Sequence, residues 1–217
     1  YLSHVVIGLD RATGSGYRYA LKYFSRLGIP HTVIWNDGPR MLAIQAKLKN
    51  FGLAPGELGK GCNVWYCLGY IQSMTEIDAV ALHDCDIVTY ERGLLSRLLY
   101  PVANPRFNYQ FCKGFYARVA DGKLNGRVSR LLVSPLVRAM KRVFDGHPFL
   151  DYVDSFRYPL AGEFAMRVDV VKSLRIPADW GLEVGILTEI YRNHSTKRVC
   201  QVEVAANYDD KPQTFPT

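Results

Sequence analysis

Two aspartates separated by one residue, in His83-Asp84-Cys85-Asp86, directly follow the uncharged run Ala79-Val80-Ala81-Leu82. A short apolar run of this kind reads as a buried strand, and ligands of open α/β sheets bind outside the carboxyl ends of strands. If the backbone stays extended, both carboxylates point one way and Cys85 the other. Paired hard oxygens at such an edge suit Mg²⁺ or Mn²⁺ carrying a diphosphate, not zinc. The bland alternative is a surface loop, since Asp-x-Asp alone is common. His83 adjoins the acidic pair and fits a supporting role behind the ligands. The other histidines, His4, His31, His147 and His194, are scattered and spell no Ser/His/Asp triad.

Three further stretches carry groups that can bind anions or sugars. Gly59-Lys60-Gly61 opens a helix, where glycines allow close backbone approach, the first turn offers N–H donors and Lys60 adds a compact positive charge for phosphate. It is not a Walker A loop, which needs a longer glycine spacing and a Ser or Thr after the Lys. A plain surface turn is the alternative. In Lys123-Leu124-Asn125-Gly126-Arg127-Val128-Ser129-Arg130, Arg127 and nearby backbone amides can grip a phosphate or carboxylate, or simply cap a surface helix. Pro159-Leu160-Ala161-Gly162-Glu163 and Asp179-Trp180-Gly181-Leu182-Glu183 each set a carboxylate beside a glycine turn. That setting suits sugar hydroxyls, yet Glu163 and Glu183 fit equally as acids at helix N-termini.

The elements that must position these groups alternate strand and helix through the first 90 residues. Val5–Leu9, His31–Trp35 and Ala79–Leu82 read as strands; Tyr17–Leu27, Met41–Leu48 and Asn63–Met74 have helical spacing, with Gly28, Pro30 and Asn36-Asp37-Gly38-Pro39 as stops and turns. Such alternation predicts βαβ units and a mostly parallel sheet flanked by helices. The second half is more mixed. Phe107–Val119 is strand-like, Gly126–Phe144 is a long basic amphipathic helix interrupted near Pro135, Glu163–Leu174 and Gly181–Arg192 read as helices, and Arg198–Val204 as a strand. No linker or repeat interrupts the chain, so one α/β domain over 1–217 is expected.

Composition narrows the partners. The 217 residues are 48% hydrophobic and 22% charged, with mean hydropathy −0.06, which excludes a disordered chain. No run reaches the roughly 20 apolar residues of a membrane span. Five scattered cysteines with no metal spacing predict free thiols in a reducing, cytoplasmic setting. The net charge is +7, and the stretch from Lys113 to Arg142 holds eight basic residues against Asp121 alone. That concentration calls for an anionic partner or is a solvated helix face. Nucleic acid ranks low, because Trp35, Trp65 and Trp180 form no stacking platform and no binding motif appears.

Taken in order, these pieces resemble a GT-A glycosyltransferase, and more narrowly the glucosyl-3-phosphoglycerate synthase family, glycosyltransferase family 81. The carrying residues are Gly59-Lys60-Gly61 with Val64-Trp65, Asp84-Cys85-Asp86, Phe111-Cys112-Lys113-Gly114-Phe115-Tyr116, Gly126-Arg127-Val128, Pro135-Leu136, Pro159-Leu160-Ala161-Gly162-Glu163-Phe164-Ala165 and Gly181-Leu182-Glu183-Val184-Gly185. The resemblance spans about residues 5 to 210 and is carried by motif order. It implies a metal-dependent, retaining transfer of a hexose, with glucose as the expectation, from a nucleotide-diphospho-sugar (UDP-glucose or a GDP-sugar) to 3-phosphoglycerate or a similar small phosphorylated acceptor. It implies residues 1–90 as the nucleotide-sugar half and 91–217 as the acceptor half, and a homodimer by family precedent. Asp84 and Asp86 then hold Mg²⁺ or Mn²⁺ and the diphosphate, Lys60 meets the donor phosphates, and Asp10 and Arg11 fall on the nucleoside loop. Gly126, Arg127, Val128 and Ser129 match the acceptor-phosphate loop, with Glu163 assigned beside them. Glu183 is the expected essential carboxylate.

The sequence departs from the family in two places. The family's opening strand and its Leu-Pro loop are absent ahead of His4, which reads as a chain drawn from the middle of a longer protein. Where the family supplies a histidine as third metal ligand, the sequence has Asn207-Tyr208-Asp209-Asp210-Lys211, and Asp210 is the expected substitute. Mannosyl transfer to a glycerate-type acceptor, a nucleotidyltransferase and a non-catalytic nucleotide-sugar-binding module are the alternatives.

Overall fold

The computed structural model describes residues 2–54, 59–120, 123–206 and 208–209. The chain forms two compact units: residues 1–77 with 175–182, and residues 78–174 with 183–217. The division at Ile77/Asp78 places the Ala79–Leu82 strand and the acidic turn after it in the second unit.

In the first unit, β1 (Val5–Leu9) and β2 (His31–Trp35) pair in parallel, in register from Val5↔His31 to Leu9↔Trp35. Helix α1 (Gly14–Phe24) connects them, capped by Thr13, whose hydroxyl accepts from the Gly16 amide at 3.2 Å. Ile7, Ala20 and Val33 form the core between helix and strands. Two more helices follow, α2 (Pro39–Asn50) and α3 (Lys60–Gln72). Asn63 of α3 donates to the Gly8 carbonyl at 3.2 Å and accepts from Asn36 at 3.0 Å. Gly8 is glycine for contact reasons: a Cβ there would stand 1.9 Å from Asn63 Oδ1.

The second unit is built on a four-stranded sheet in the order β3 (Ala79–Leu82), β7 (Phe164–Arg167), β4 (Phe111–Tyr116), β8 (Val199–Ala205). Strand β7 runs antiparallel to both neighbours, while β4 and β8 are parallel. The sheet of this unit is therefore mixed, in keeping with the more mixed second half expected from the sequence. The helix expected over Glu163–Leu174 is this strand plus a short helix, α7 (Val168–Ser173). Phe164, Ala165 and Met166 are all buried, and a short run apolar on every side carries no period that separates strand from helix.

Helix α4 (Arg92–Ala103) covers one face of the sheet, setting Leu94, Leu98 and Val102 at helical spacing against Cys112, Ala165 and Val204. Leu98 is fully buried, so Leu98→Ala should cost about 2–5 kcal/mol in denaturant unfolding. A loss under about 1 kcal/mol would mean that α4 does not pack as described. A short pair, β5 (Val119–Ala120) and β6 (Lys123–Leu124), precedes wide π-helical turns over Val128–Val133. These pass into α5 (Ser134–Val143), so the basic helix is interrupted at Pro135 as expected, because proline offers no N–H. Helix α6 (Pro148–Asp154) answers part of the positive charge: Lys141 meets Asp151 and Asp154 at 2.9 Å, and Arg138 meets Asp154 at 3.4 Å. The Lys141 ammonium holds the Asp154 carboxyl below its ordinary range. Helix α8 (Leu182–Asn193) buries Leu182, Ile186, Leu187 and Ile190. All five cysteines are free thiols, with Cys112 and Cys200 facing each other across β4 and β8. Among the described residues no helix is long and apolar enough to cross a membrane.

Candidate active site

Strand directions decide which loops meet. Because β7 opposes both β3 and β4, those two run the same way, and β8 runs with them. The carboxyl ends of β3, β4 and β8 therefore share one edge of the sheet with the amino end of β7. That edge receives the His83–Asp86 turn, the chain leaving Tyr116, Glu163 just before Phe164, and Tyr208 beyond Ala205. It is where an open sheet binds ligands.

Asp84 and Asp86 are half-buried, and the backbone turns at Cys85 and Asp86 instead of staying extended. Burial pushes the His83 imidazole down to about 4, against the opposing pull of Asp84, so it is neutral at pH 7. Both its ring nitrogens are buried without a protein partner, and its ring stands edge-on to Tyr90 at 5.5 Å. Two partly exposed carboxylates beside a neutral imidazole fit a hard divalent cation. Among the described residues no group of three or more His, Cys, Asp or Glu is gathered to hold a metal, and the expected third ligand, Asp210, lies outside the described residues.

The turn before β7 is clamped to β4. The Lys113 ammonium, almost fully buried, donates to the Ala161 carbonyl and lies 5.7 Å over the Phe164 ring. The Gly114 amide donates to the Glu163 carbonyl at 2.9 Å, an approach that needs glycine, since a Cβ would stand 3.0 Å from Glu163 Cβ. Glu163 is wholly buried, and its Oε1 accepts from the Tyr208 hydroxyl at 2.5 Å. Burial pushes its carboxyl up, and the Asp84 charge adds to the effect. Lys113 and Tyr208 escape a sequence reading, since their role depends on partners about 50 residues away. The one local hint is a lysine inside an otherwise uncharged strand.

On the way out of β4, Gly126 has φ +76°, which favours glycine. Arg127 and Val128 are exposed, and the Ser129 hydroxyl is buried with no protein partner. The loop thus exposes a guanidinium and buries an unspent hydroxyl. Glu183 is half-buried in the first turn of α8.

In the first unit, Asp10 directly follows β1 and lies 3.9 Å from Arg11, which is exposed and has φ +53°. The loop is tied down by the Ala12 amide on Asp37 at 3.0 Å and by the Trp35 indole on the Ala12 carbonyl at 2.9 Å. The expectation that α3 offers its first-turn amides to phosphate needs correction. The Gly61 and Cys62 amides donate to the Asp179 and Ala178 carbonyls at 3.2 and 2.7 Å. Lys60 is half-buried at the start of the helix.

This edge, with its acidic turn and the helices around it, belongs to the GT-A fold of glycosyltransferases. A crystal structure of glucosyl-3-phosphoglycerate synthase from Mycobacterium tuberculosis in complex with phosphoglyceric acid superposes with a TM-score of 0.64 at 20% identity, covering 97% of this chain and 61% of that one. Another, holding Mn²⁺, UDP-glucose and phosphoglyceric acid, gives 0.61 at 21% identity, covering 98% and 72%. The sequence comparison is more particular. The chain is 47% identical over 213 residues to the glucosyl-3-phosphoglycerate synthase of Persephonella marina, covering 98% of this chain and 53% of that one. It is 44% identical over 216 residues to the enzyme of the same name from Methanococcoides burtonii, covering 98% and 52%. The chain therefore spans about half the length of these curated relatives. No family model matches it.

Proposed function

We propose that the chain carries the sugar-transfer site of a metal-dependent, retaining glucosyltransferase that moves glucose from a nucleotide-diphospho-glucose to 3-phosphoglycerate. The observation that carries this is the identity of 47% across 98% of the chain to a glucosyl-3-phosphoglycerate synthase, with the acidic turn at the carboxyl end of β3 where a donor diphosphate belongs. The M. tuberculosis enzyme of that name has been solved with Mn²⁺ or Mg²⁺ and UDP, and with UDP-glucose and phosphoglyceric acid, which supports UDP-glucose as donor.

We assign the nucleoside to Asp10 and Arg11, the donor phosphates to Lys60, and the cation to Asp84, Asp86 and Asp210. When bound, the cation neutralises charge on the departing diphosphate. Gly126, Arg127, Val128 and Ser129 grip the acceptor phosphate, and Glu183 orients the acceptor hydroxyl and the sugar. In a front-face transfer the departing phosphate oxygen takes the acceptor's proton, so no protein base is required.

Incubation of the intact protein with UDP-glucose or GDP-mannose, 3-phosphoglycerate and either Mg²⁺ or EDTA, followed by mass spectrometry, tests this directly. A glucosylated phosphoglycerate formed only with metal is expected. A mannosylated product, or metal-dependent nucleotide-sugar binding without turnover, would overturn it. Arg127→Ala should weaken 3-phosphoglycerate by roughly 1.5–3 kcal/mol, the scale of a charge-assisted hydrogen bond, while hardly touching glycerate. Equal losses for both acceptors would remove Arg127 from the phosphate.

A further inference from the structure

Glu163 has no surface to offer a substrate, being wholly buried. An ionisable side chain is costly there unless it is hydrogen-bonded or paired, so the partners of Glu163 decide what it does. Its Oε1 accepts from Tyr208, and Oε2 has no protein partner. Tyr208 is held flat against Tyr116, ring centroids 3.6 Å apart at 11°, and its amide donates to the Ala117 carbonyl at 3.3 Å. Burial and the Glu163 charge push the Tyr208 phenol far up, so it remains a donor at neutral pH. The next residue completes the connection. The Asp209 amide donates to Thr89 Oγ1 at 2.9 Å, and the Asp209 carbonyl accepts from the Val88 amide at 2.9 Å. Val88 and Thr89 lie directly after the turn that carries Asp84 and Asp86.

We propose that Glu163 is a positioning residue for the metal site: through the Tyr208 hydroxyl it fixes the 208–209 segment, which in turn fixes the far side of the acidic turn. The near side is already held by β3, whose Leu82 pairs with Phe164, the residue after Glu163. One carboxyl group thus stands behind both flanks of the turn, without touching the cation or the sugar acceptor. This replaces the acceptor-binding role expected for Glu163, and it rests on the metal assignment of the proposed function.

Mn²⁺ binding to the intact protein, followed by the EPR signal of the free ion, reads the effect without turnover. Tyr208→Phe and Glu163→Ala should each weaken Mn²⁺ about tenfold, and the double variant no further, because both cut the same link. Glu163→Gln keeps an acceptor oxygen and the side-chain volume, and should stay within about threefold of the parent. Thr89→Val cuts the connection one step later and carries the test if Tyr208→Phe fails to fold. Unchanged Mn²⁺ affinity in folded Tyr208→Phe or Thr89→Val, or additive losses in the double variant, would overturn the proposal. So would a Glu163→Gln protein whose KM for 3-phosphoglycerate rises while its Mn²⁺ affinity holds. A parent protein that binds Mn²⁺ no better than Asp84→Asn would sink the metal assignment itself, and this inference with it.

Discussion

An Asp86→Ala protein should fold like its parent and lose at least about a hundredfold in sugar transfer, because a cation that neutralises a leaving diphosphate supplies several kcal/mol. The stability half of this expectation comes from placement. Asp86 is half-buried on a turn outside the β3–β7 ladder, and the core under α4 does not include it. Removing one of two neighbouring carboxylates also relieves like-charge repulsion, which offsets part of what the side chain's own interactions contribute, so unfolding should shift by no more than about 1 kcal/mol. Kinetics at saturating donor and several Mn²⁺ concentrations, with a thermal melt alongside, separate the two effects. Activity within tenfold of the parent would remove Asp86 from the metal, whereas activity lost together with the melt would make it structural.

Gly61→Ala should destabilise the first unit by about 2–4 kcal/mol. A Cβ at Gly61 would stand 1.9 Å from the Pro177 carbonyl oxygen and 2.9 Å from two backbone carbonyl carbons. No side-chain rotation relieves such a clash. Either the 177–179 segment moves or α3 does, and both routes stretch the bonds from the Gly61 and Cys62 amides. Gly69, in the same helix, is the control: nothing lies within 4 Å of a Cβ there, so Gly69→Ala should stabilise by up to about 1 kcal/mol. Trp35, Trp65 and Trp180 all lie in the first unit and report its unfolding by fluorescence. Opposite signs for the two substitutions are expected. An unchanged midpoint for Gly61→Ala, with weaker UDP-glucose binding instead, would restore the glycine to the phosphate.

Gly59-Lys60-Gly61 also marks how far a sequence reaches. The glycines and the helix after them were legible, but the reason for Gly61 is a carbonyl more than a hundred positions later, and no local pattern encodes it. The strands Val5–Leu9, His31–Trp35 and Ala79–Leu82 stand as read, because each is a short apolar run bounded by turn residues. Strand β7 was misread because its burial on every side erases the period that would have distinguished it. Helices α4 and α6 were not read at all, and Pro101 inside α4 is a residue that usually argues against a helix. The acidic turn was legible as chemistry, but its straight backbone was an assumption that the turn at Cys85 corrects. The basic stretch was counted without Asp151 and Asp154, which neutralise part of it from α6. The Glu163–Tyr208 contact joins two stretches whose separate patterns say nothing of each other.

The order of strands in the second unit has a consequence for how the protein is made. Among the described residues β3 pairs with β7 alone, and β4 pairs with β7 and β8, so only β4 and β7 are both successive strands of this sheet and side by side, and even they are separated by α5 and α6. Every pairing must close a long loop before it gains any hydrogen bonds, which is the kind of topology that folds slowly. During synthesis the acidic turn leaves the ribosome early, but its strand has no partner until β7 follows. The 208–209 segment that ties down its other side comes later still. A nascent chain therefore exposes its acidic turn well before both flanks of that turn are held.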